Sequence, residues 1–397
     1  MMGSSTKALK QFLAEHDVMI LGIIAAAIAI LFPFFFGAPI LIVILGSFIW
    51  LDRKQFKQTI AELGWVGIFI VYSLIVSAIN RNLIGVLATV AVALIALFFV
   101  YYRRKLNAEL YVLLLKIFCW GSIPLAIMAL YQYLNYAYTH GYDMFYIFKY
   151  HNIQTRAEAT FFNANYYGLY CVFAITIAIY LFKRSNFKHT KLMSLLVFLL
   201  NTVSIILTAS RWLLPTIVVA IVWLVFFLNR KYALIAMVVS AVGLVLLLFN
   251  PEILPRLTTL AYAFEDRFII WDTGWRIFLT NPLIGRGAMS YVNYYYLFVD
   301  EGKMHAHQLL IDTLANFGLY GLMLICVSFS GYLRETLSVI NDRTIRSEIG
   351  LITSFIVIVL FHGLMDMAIF WLQTGFIFLV VILVPISILR KVAESEI

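Results

Sequence analysis

About twelve apolar runs tile this chain, each near the roughly 20 residues an α-helix needs to cross a bilayer. They fall near residues 18–36, 38–51, 63–79, 83–102, 109–136, 160–182, 192–209, 212–229, 232–249, 307–332, 347–369 and 371–389. Backbone N–H and C=O groups in lipid must find partners inside the structure, which admits only helices or closed barrels. Runs of this length predict helices. The expected fold is an all-α integral membrane protein, one polytopic domain over residues 1–397 with about twelve transmembrane helices. Composition agrees: 63% of the residues are hydrophobic and 12% charged, a balance foreign to soluble domains. The run at 38–51 is short and begins at Gly37 and Pro39, so a re-entrant or tilted segment is the alternative there. The first run is too long for a removable signal peptide and lacks a small-residue cleavage site.

Loop cations set the expected orientation. With the N-terminus inside, every inner loop carries at least two, such as Lys7 and Lys10, Arg103 to Lys105, and Arg390 and Lys391. Both termini are then cytoplasmic. The net charge of +9 reads as membrane topology, and no soluble domain is left over to bind nucleic acid. Cys119, Cys171 and Cys326 are dispersed in apolar runs, which makes neither a disulfide framework nor a metal cluster. The absence of an obvious internal repeat disfavours inverted-repeat transporters.

One long gap interrupts the tiling, an extracytoplasmic loop over 250–306. It holds Arg256, Arg267, Arg276, Arg286 and Lys303 and closes on His305-Ala306-His307-Gln308. Its aromatic and apolar content speaks against disorder. From Glu265 to Leu279 the spacing of Ile270, Trp271, Trp275, Phe278 and Leu279 predicts an amphipathic helix, of the kind that lies at a membrane interface. Asn281-Pro282 stops it. Arg267 and Trp271, four apart, share a face, whereas Arg276 falls about 180° from Arg267 unless the helix breaks at Gly274.

Several positions suit chemistry at that face. Arg211, in Thr208-Ala-Ser-Arg-Trp212, sits between two spans with almost no loop, so it either holds an anion or snorkels to headgroups as an interfacial anchor. His307 starts a span, where neutral imidazole can accept a proton from a hydroxyl or simply satisfy a helix end. His305-x-His307 resembles half a metal site without a third ligand at convincing spacing, so neither a metal nor a cofactor is expected. Asp312, inside an apolar run, could orient a histidine or balance an arginine. His362 and Asp366, four apart, read as a structural polar pair. Glu158, Asn163 and Asn165, in Arg156–Gly168, either bind sugar or shape the turn into a span. No Asp-x-Asp, Walker loop, dinucleotide-type glycine turn or carboxylate pair for glycoside hydrolysis stands out.

Four of these blocks together resemble the O-antigen ligase and O-antigen polymerase superfamily. They are Glu158-Ala-Thr-Phe-Phe-Asn-Ala-Asn165 leading to Gly168, and Thr208-Ala-Ser-Arg211. The third is Arg267-Phe-Ile-Ile-Trp271 with Asn281-Pro-Leu-Ile-Gly-Arg-Gly287, and the fourth His305-Ala-His307-Gln308 with Gly318 and Gly321 downstream. The order, spacing and span layout are similar over roughly 150–325. Gln308 departs from the asparagine common in the family but keeps an amide. The resemblance implies a metal-independent, inverting glycosyltransferase in the bacterial cytoplasmic membrane, acting at its outer face. Its donor would be a glycan on undecaprenyl diphosphate, and its acceptor a hydroxyl of another glycan or of a lipid anchor. His307 would then be the general base, with Arg211 and Arg267 holding the diphosphate. His305, Arg276, Arg286, Trp271, Glu158, Asn163 and Asn165 would contact substrate.

Two other functions remain open on sequence. A transporter or flippase of lipid-linked oligosaccharides would be expected to carry cations through its spans, whereas here they gather at the faces. A scaffold of an export complex would not need the arginines and histidines of the loop.

Overall fold

The computed structural model describes residues 17–149, 156–253, 260–300 and 303–395; Lys7, Lys10 and Arg256 lie outside them. All regular structure among these residues is helical. The first half carries α1 Val18–Ala29, α2 Phe34–Leu51, α3 Phe56–Ala61, α4 Gly64–Ile79, α5 Leu83–Lys105, α6 Ala108–Trp120, α7 Ser122–Thr139 and α8 Tyr146–Lys149. Next come α9 Ala164–Arg184, α10 Lys188–Leu207, α11 Leu213–Leu228 and α12 Arg230–Phe249. The chain finishes with α13 Leu260–Leu279, α14 Ser290–Tyr294, α15 Leu309–Ser338, α16 Arg346–His362, α17 Leu372–Ile382 and α18 Ile386–Glu394.

Each of the twelve apolar runs contains a helix. Seven stretches are long and apolar enough to cross a membrane alone, α6 and α7 counting as one, and an eighth forms if the bent pair α17–α18 is one span. Apolar helices α1, α4 and α11 are shorter. The molecule is a multi-pass membrane protein by these features.

Helix α9 is the central post. Almost every side chain from Tyr167 to Leu181 is buried, Tyr167, Tyr170, Phe173 and Tyr180 among them. It packs on α10, α11 and α16, and Phe173 stacks on Phe355 with centroids 4.4 Å apart. A helix apolar all round belongs at such a position. By contrast α12 has almost no buried side chain, and its exposed Val, Leu and Ile suit lipid. A smaller core joins the 260–308 segment to α15 through Ile270, Ile277, Phe278, Tyr291, Ala306 and Leu314.

Helix α13 runs unbroken through Gly274. A Cβ at Gly274 would meet Ile311 Cγ2 at 2.7 Å and Ala306 Cβ at 2.9 Å, so this glycine serves close packing. The buried face is Ile270, Thr273, Gly274, Ile277 and Phe278, while Trp275 and Leu279 of the expected stripe are exposed.

Helix α15 is broken at Gly318, whose φ of 62° and ψ of −169° are not helical. Breaking a helix in the bilayer frees backbone groups that need new partners. The segment Asn281–Ala288 provides them. Arg286 N donates to Ala315 O and Gly287 N to Asn316 O, at 3.1 and 2.7 Å. Leu319 N and Tyr320 N donate to Pro282 O and Leu283 O, at 2.9 and 3.0 Å. Tyr72 of α4 donates to Phe317 O at 2.7 Å and lies 3.1 Å from Ile284 O.

Candidate active site

Three turns and one helix end meet at the point where α9, α11, α15 and α16 begin or finish. Asn163 caps α9, its Oδ1 accepting from Asn165 N at 2.8 Å. Such a cap satisfies an amide the helix leaves orphaned, and it fixes Asn165 on the first turn. Gln308 caps α15 in the same way, accepting from Ile311 N at 2.6 Å. The His305–Gln308 turn is tied from both sides: Asp312 Oδ1 accepts from Ala306 N at 2.8 Å, and Leu309 N donates to Gly363 O at 2.7 Å. Asp312 is itself held by Asn316 Nδ2 at 2.6 Å, and Asn316 Oδ1 accepts from Ser290 N and Oγ. Asp312 thus supports the backbone between the two histidines and bonds to neither ring.

The candidate arrangement centres on His307. Its Nδ1 lies 2.9 Å from Asp366 Oδ1. Asn165 Nδ2 donates to the other Asp366 oxygen, and Met367 N donates to Oδ1 at 2.8 Å. Arg156 Nη2 donates to Asn165 Oδ1 at 2.7 Å, and its Nε to Thr208 O at 2.6 Å. One line of contacts therefore runs from the Thr208 turn through Arg156, Asn165 and Asp366 to the imidazole. Asp366 and His362 read from spacing as a polar pair; the carboxylate instead takes His307, because the chain after α16 folds back across the start of α9. With Nδ1 turned to a carboxylate, Nε2 of neutral His307 keeps its lone pair.

The His305 ring lies beside that of His307 with centroids 4.1 Å apart and planes tilted by 59°, its Nδ1 accepts from His307 N at 3.2 Å, and Tyr166 hydroxyl lies 3.3 Å from its Nε2. Burial pushes its pKa down to about 4. The ring is neutral at ordinary pH.

Arg267 and Trp271 face the same cluster from one side of α13. Burial lowers the Arg267 pKa while the charge of Asp366 raises it, yet a guanidinium stays protonated in either case. Arg267 Nη1 and Trp271 Nε1 are buried donors without a hydrogen bond among the described residues. Buried donors rarely go unmatched, and two of them four residues apart on one helix face suit a negatively charged ligand. Arg211 is half-buried in the turn at the start of α11. That turn is fixed by Thr208 O, which binds Arg156, and by Trp212, whose Nε1 donates to Phe361 O at 3.0 Å.

The other expected site residues stand apart. Arg276 is exposed on the far side of α13 and pairs with Asp272 at 2.7 Å. Arg286 tethers its loop: it donates to Thr280 Oγ1, Thr280 O and Asn80 Oδ1, and lies over the Tyr294 ring. Glu158 is half-buried near Arg156; burial raises its pKa more than that arginine lowers it. Its backbone N donates to Gln132 Oε1 at 3.2 Å.

Three of the four blocks share one feature that residue type does not announce. Ala159, Phe162, Ala209 and His307 all have left-handed φ, between 46° and 55°. Non-glycine residues there store strain, which collects at functional sites. Asp366, Arg156 and Tyr166 were not among the expected site residues. An ionisable residue at the end of a span was the available signal for Asp366.

His305, His307 and Asp366 place ligand atoms within 4.8 Å of one another, a set that could hold a metal ion. In the structure His307 Nδ1 and Asp366 Oδ1 lie within hydrogen-bond distance of each other, at 2.9 Å.

Residues 192–326 match the O-antigen ligase family model. The match makes this segment similar to O-antigen ligases. It covers about a third of the chain, from α10 into α15, and takes in Arg211, Arg267, Trp271, His305 and His307. Asp366, Asn165 and Arg156, which orient His307, lie outside it. No curated protein matches the chain.

Proposed function

We propose that the chain transfers a glycan from an undecaprenyl-diphosphate donor to an acceptor hydroxyl at the outer face of the bacterial cytoplasmic membrane. The membrane layout in this reading has about twelve spans with both termini cytoplasmic. The observation that carries it is the His307–Asp366 pair, with half-buried Arg267 near it. His307 Nε2 takes the proton from the acceptor hydroxyl. The acceptor oxygen attacks the anomeric carbon, inverting it, and the bond from that carbon to the diphosphate oxygen breaks with its electron pair. The lipid diphosphate leaves as an anion, and Arg267 and Arg211 neutralise the charge as it grows. Trp271 Nε1 adds a donor to the same group. Asp366 stabilises the imidazolium and is itself held by Asn165, which Arg156 holds in turn.

In this reading arginines replace a metal. Purified protein in detergent with EDTA should elongate lipid-diphosphate-linked repeat units, or move them to an added acceptor. His307→Ala should lower transfer about 10²–10⁴-fold, the range for a general base. Full activity in His307→Ala, or abolition by EDTA with restoration by a divalent cation, would overturn the mechanism.

A further inference from the structure

A cavity of about 550 Å³ opens at the opposite end of α11 and α16 from the histidine cluster. The turn bearing Arg211 begins α11, and Phe361, stacked on Trp212, ends α16; the cavity lies where α11 finishes and α16 starts. The 16 residues of α11 put about 24 Å between the two, so the cavity belongs to the other membrane face. Arg230, Arg343 and Arg346 line it together with Trp223, Phe226 and Phe227, and no acidic side chain is in the lining.

The cavity is held in shape. Arg346 Nη2 donates to Phe226 O at 3.0 Å, and Arg230 lies over the Phe226 ring at 5.3 Å. Trp223 Nε1 donates to Thr353 Oγ1 at 3.0 Å. The nearby carboxylates are engaged elsewhere, Asp342 with Arg390 at 3.4 Å and buried Glu348 with Arg184 at 3.0 Å. Three cations close together repel one another, and an anion relieves that. Trp223 and Phe226 are also partly exposed on a bundle whose outer surface is apolar. Fixed cations beside exposed aromatic rings match an amphiphile whose phosphate and acyl chain meet at the interface.

We infer that this cavity binds the phosphodiester headgroup of an anionic phospholipid from the leaflet opposite the transfer site. The guanidinium groups hold the phosphate by charge-assisted hydrogen bonds, and Trp223 and Phe226 lie along the first carbons of the chains. The site is independent of the transfer chemistry.

The test is native mass spectrometry of the full chain titrated with short-chain phosphatidylglycerol, phosphatidylcholine or inorganic phosphate. Phosphatidylglycerol should bind at least tenfold more tightly than phosphatidylcholine, and Arg230→Gln/Arg343→Gln should remove that preference. Should the double variant not be recovered folded, Arg343→Gln alone, whose side chain is exposed, is expected to weaken phosphatidylglycerol severalfold. Equal binding of the two lipids, an unchanged preference in the variants, or inorganic phosphate binding as tightly as the lipid would each overturn the inference.

Discussion

His307 and Asp366 are 59 residues apart in the chain, yet Nδ1 of one lies 2.9 Å from Oδ1 of the other. Asp366 fixes which nitrogen of the ring faces the carboxylate and leaves the other for chemistry. In the proposed mechanism it is a positioning residue, because it acts through the imidazole.

Asp366→Asn should lower kcat for glycan transfer by roughly a hundredfold, within the range that proton transfer supplies, with KM changed little. Asn165→Asp should follow it, since it exchanges a donor to Asp366 for a second carboxylate. Steady-state kinetics on membranes with matched protein levels decide the matter; a loss confined to KM would assign both residues to substrate binding.

Arg267 and Arg276 lie on opposite sides of the unbroken α13 and should behave differently. Arg267→Ala should cost at least a hundredfold in kcat/KM, and Arg267→Lys should recover only part, since lysine lacks the planar fork. Arg276→Ala removes an exposed pair with Asp272, of a kind contributing about 0.3–0.5 kcal/mol. Transfer should stay within about twofold of the parent protein. Equal losses at the two positions would contradict their separation.

Folded His305 titrates at about 4, below its ordinary 6.5, chiefly because it is buried. Between these values the unfolded chain binds more protons than the folded one, so stability rises with pH there and falls on acidification. The melting temperature in detergent should therefore drop from pH 6.5 towards pH 4, and less steeply in His305→Gln. Parallel curves for the two proteins would remove His305 from the acid sensitivity.

Gly318 and Gly331 give opposite expectations within one helix. A Cβ at Gly318 would meet Leu283 C and O at 2.5 Å and Gly285 N at 2.6 Å, with φ positive as well. Gly318→Ala should destabilise by more than the 1–3 kcal/mol of the backbone strain alone. At Gly331 nothing lies within 4 Å, so alanine should be neutral or stabilise by up to about 1 kcal/mol. Thermal unfolding of the two variants checks both signs.

Helices and their approximate limits were legible because lipid forces apolar runs of a set length to hydrogen-bond internally. The side of α13 shared by Arg267 and Trp271 followed from helical spacing. What spacing does not encode is long-range partnership. Asp366 is four residues from His362 and looks like its local partner, but the carboxylate meets His307 because the segment after α16 crosses the start of α9. Arg286 sits among the loop cations by position, while its contacts with Asn80 depend on where α4 ends. The left-handed φ of Ala159, Phe162 and Ala209 was equally hidden, since alanine and phenylalanine carry no sign of it.

The break in α15 bears on how this protein can vary. Four backbone hydrogen bonds join Pro282–Gly287 to the two sides of Gly318, so neither strand of that joint is complete by itself. A transplant of residues 250–306 from a relative would bring one half of the joint and leave the other behind. The loop and the broken helix therefore have to match each other. Diversity among relatives should gather where the loop makes no backbone contact with α15.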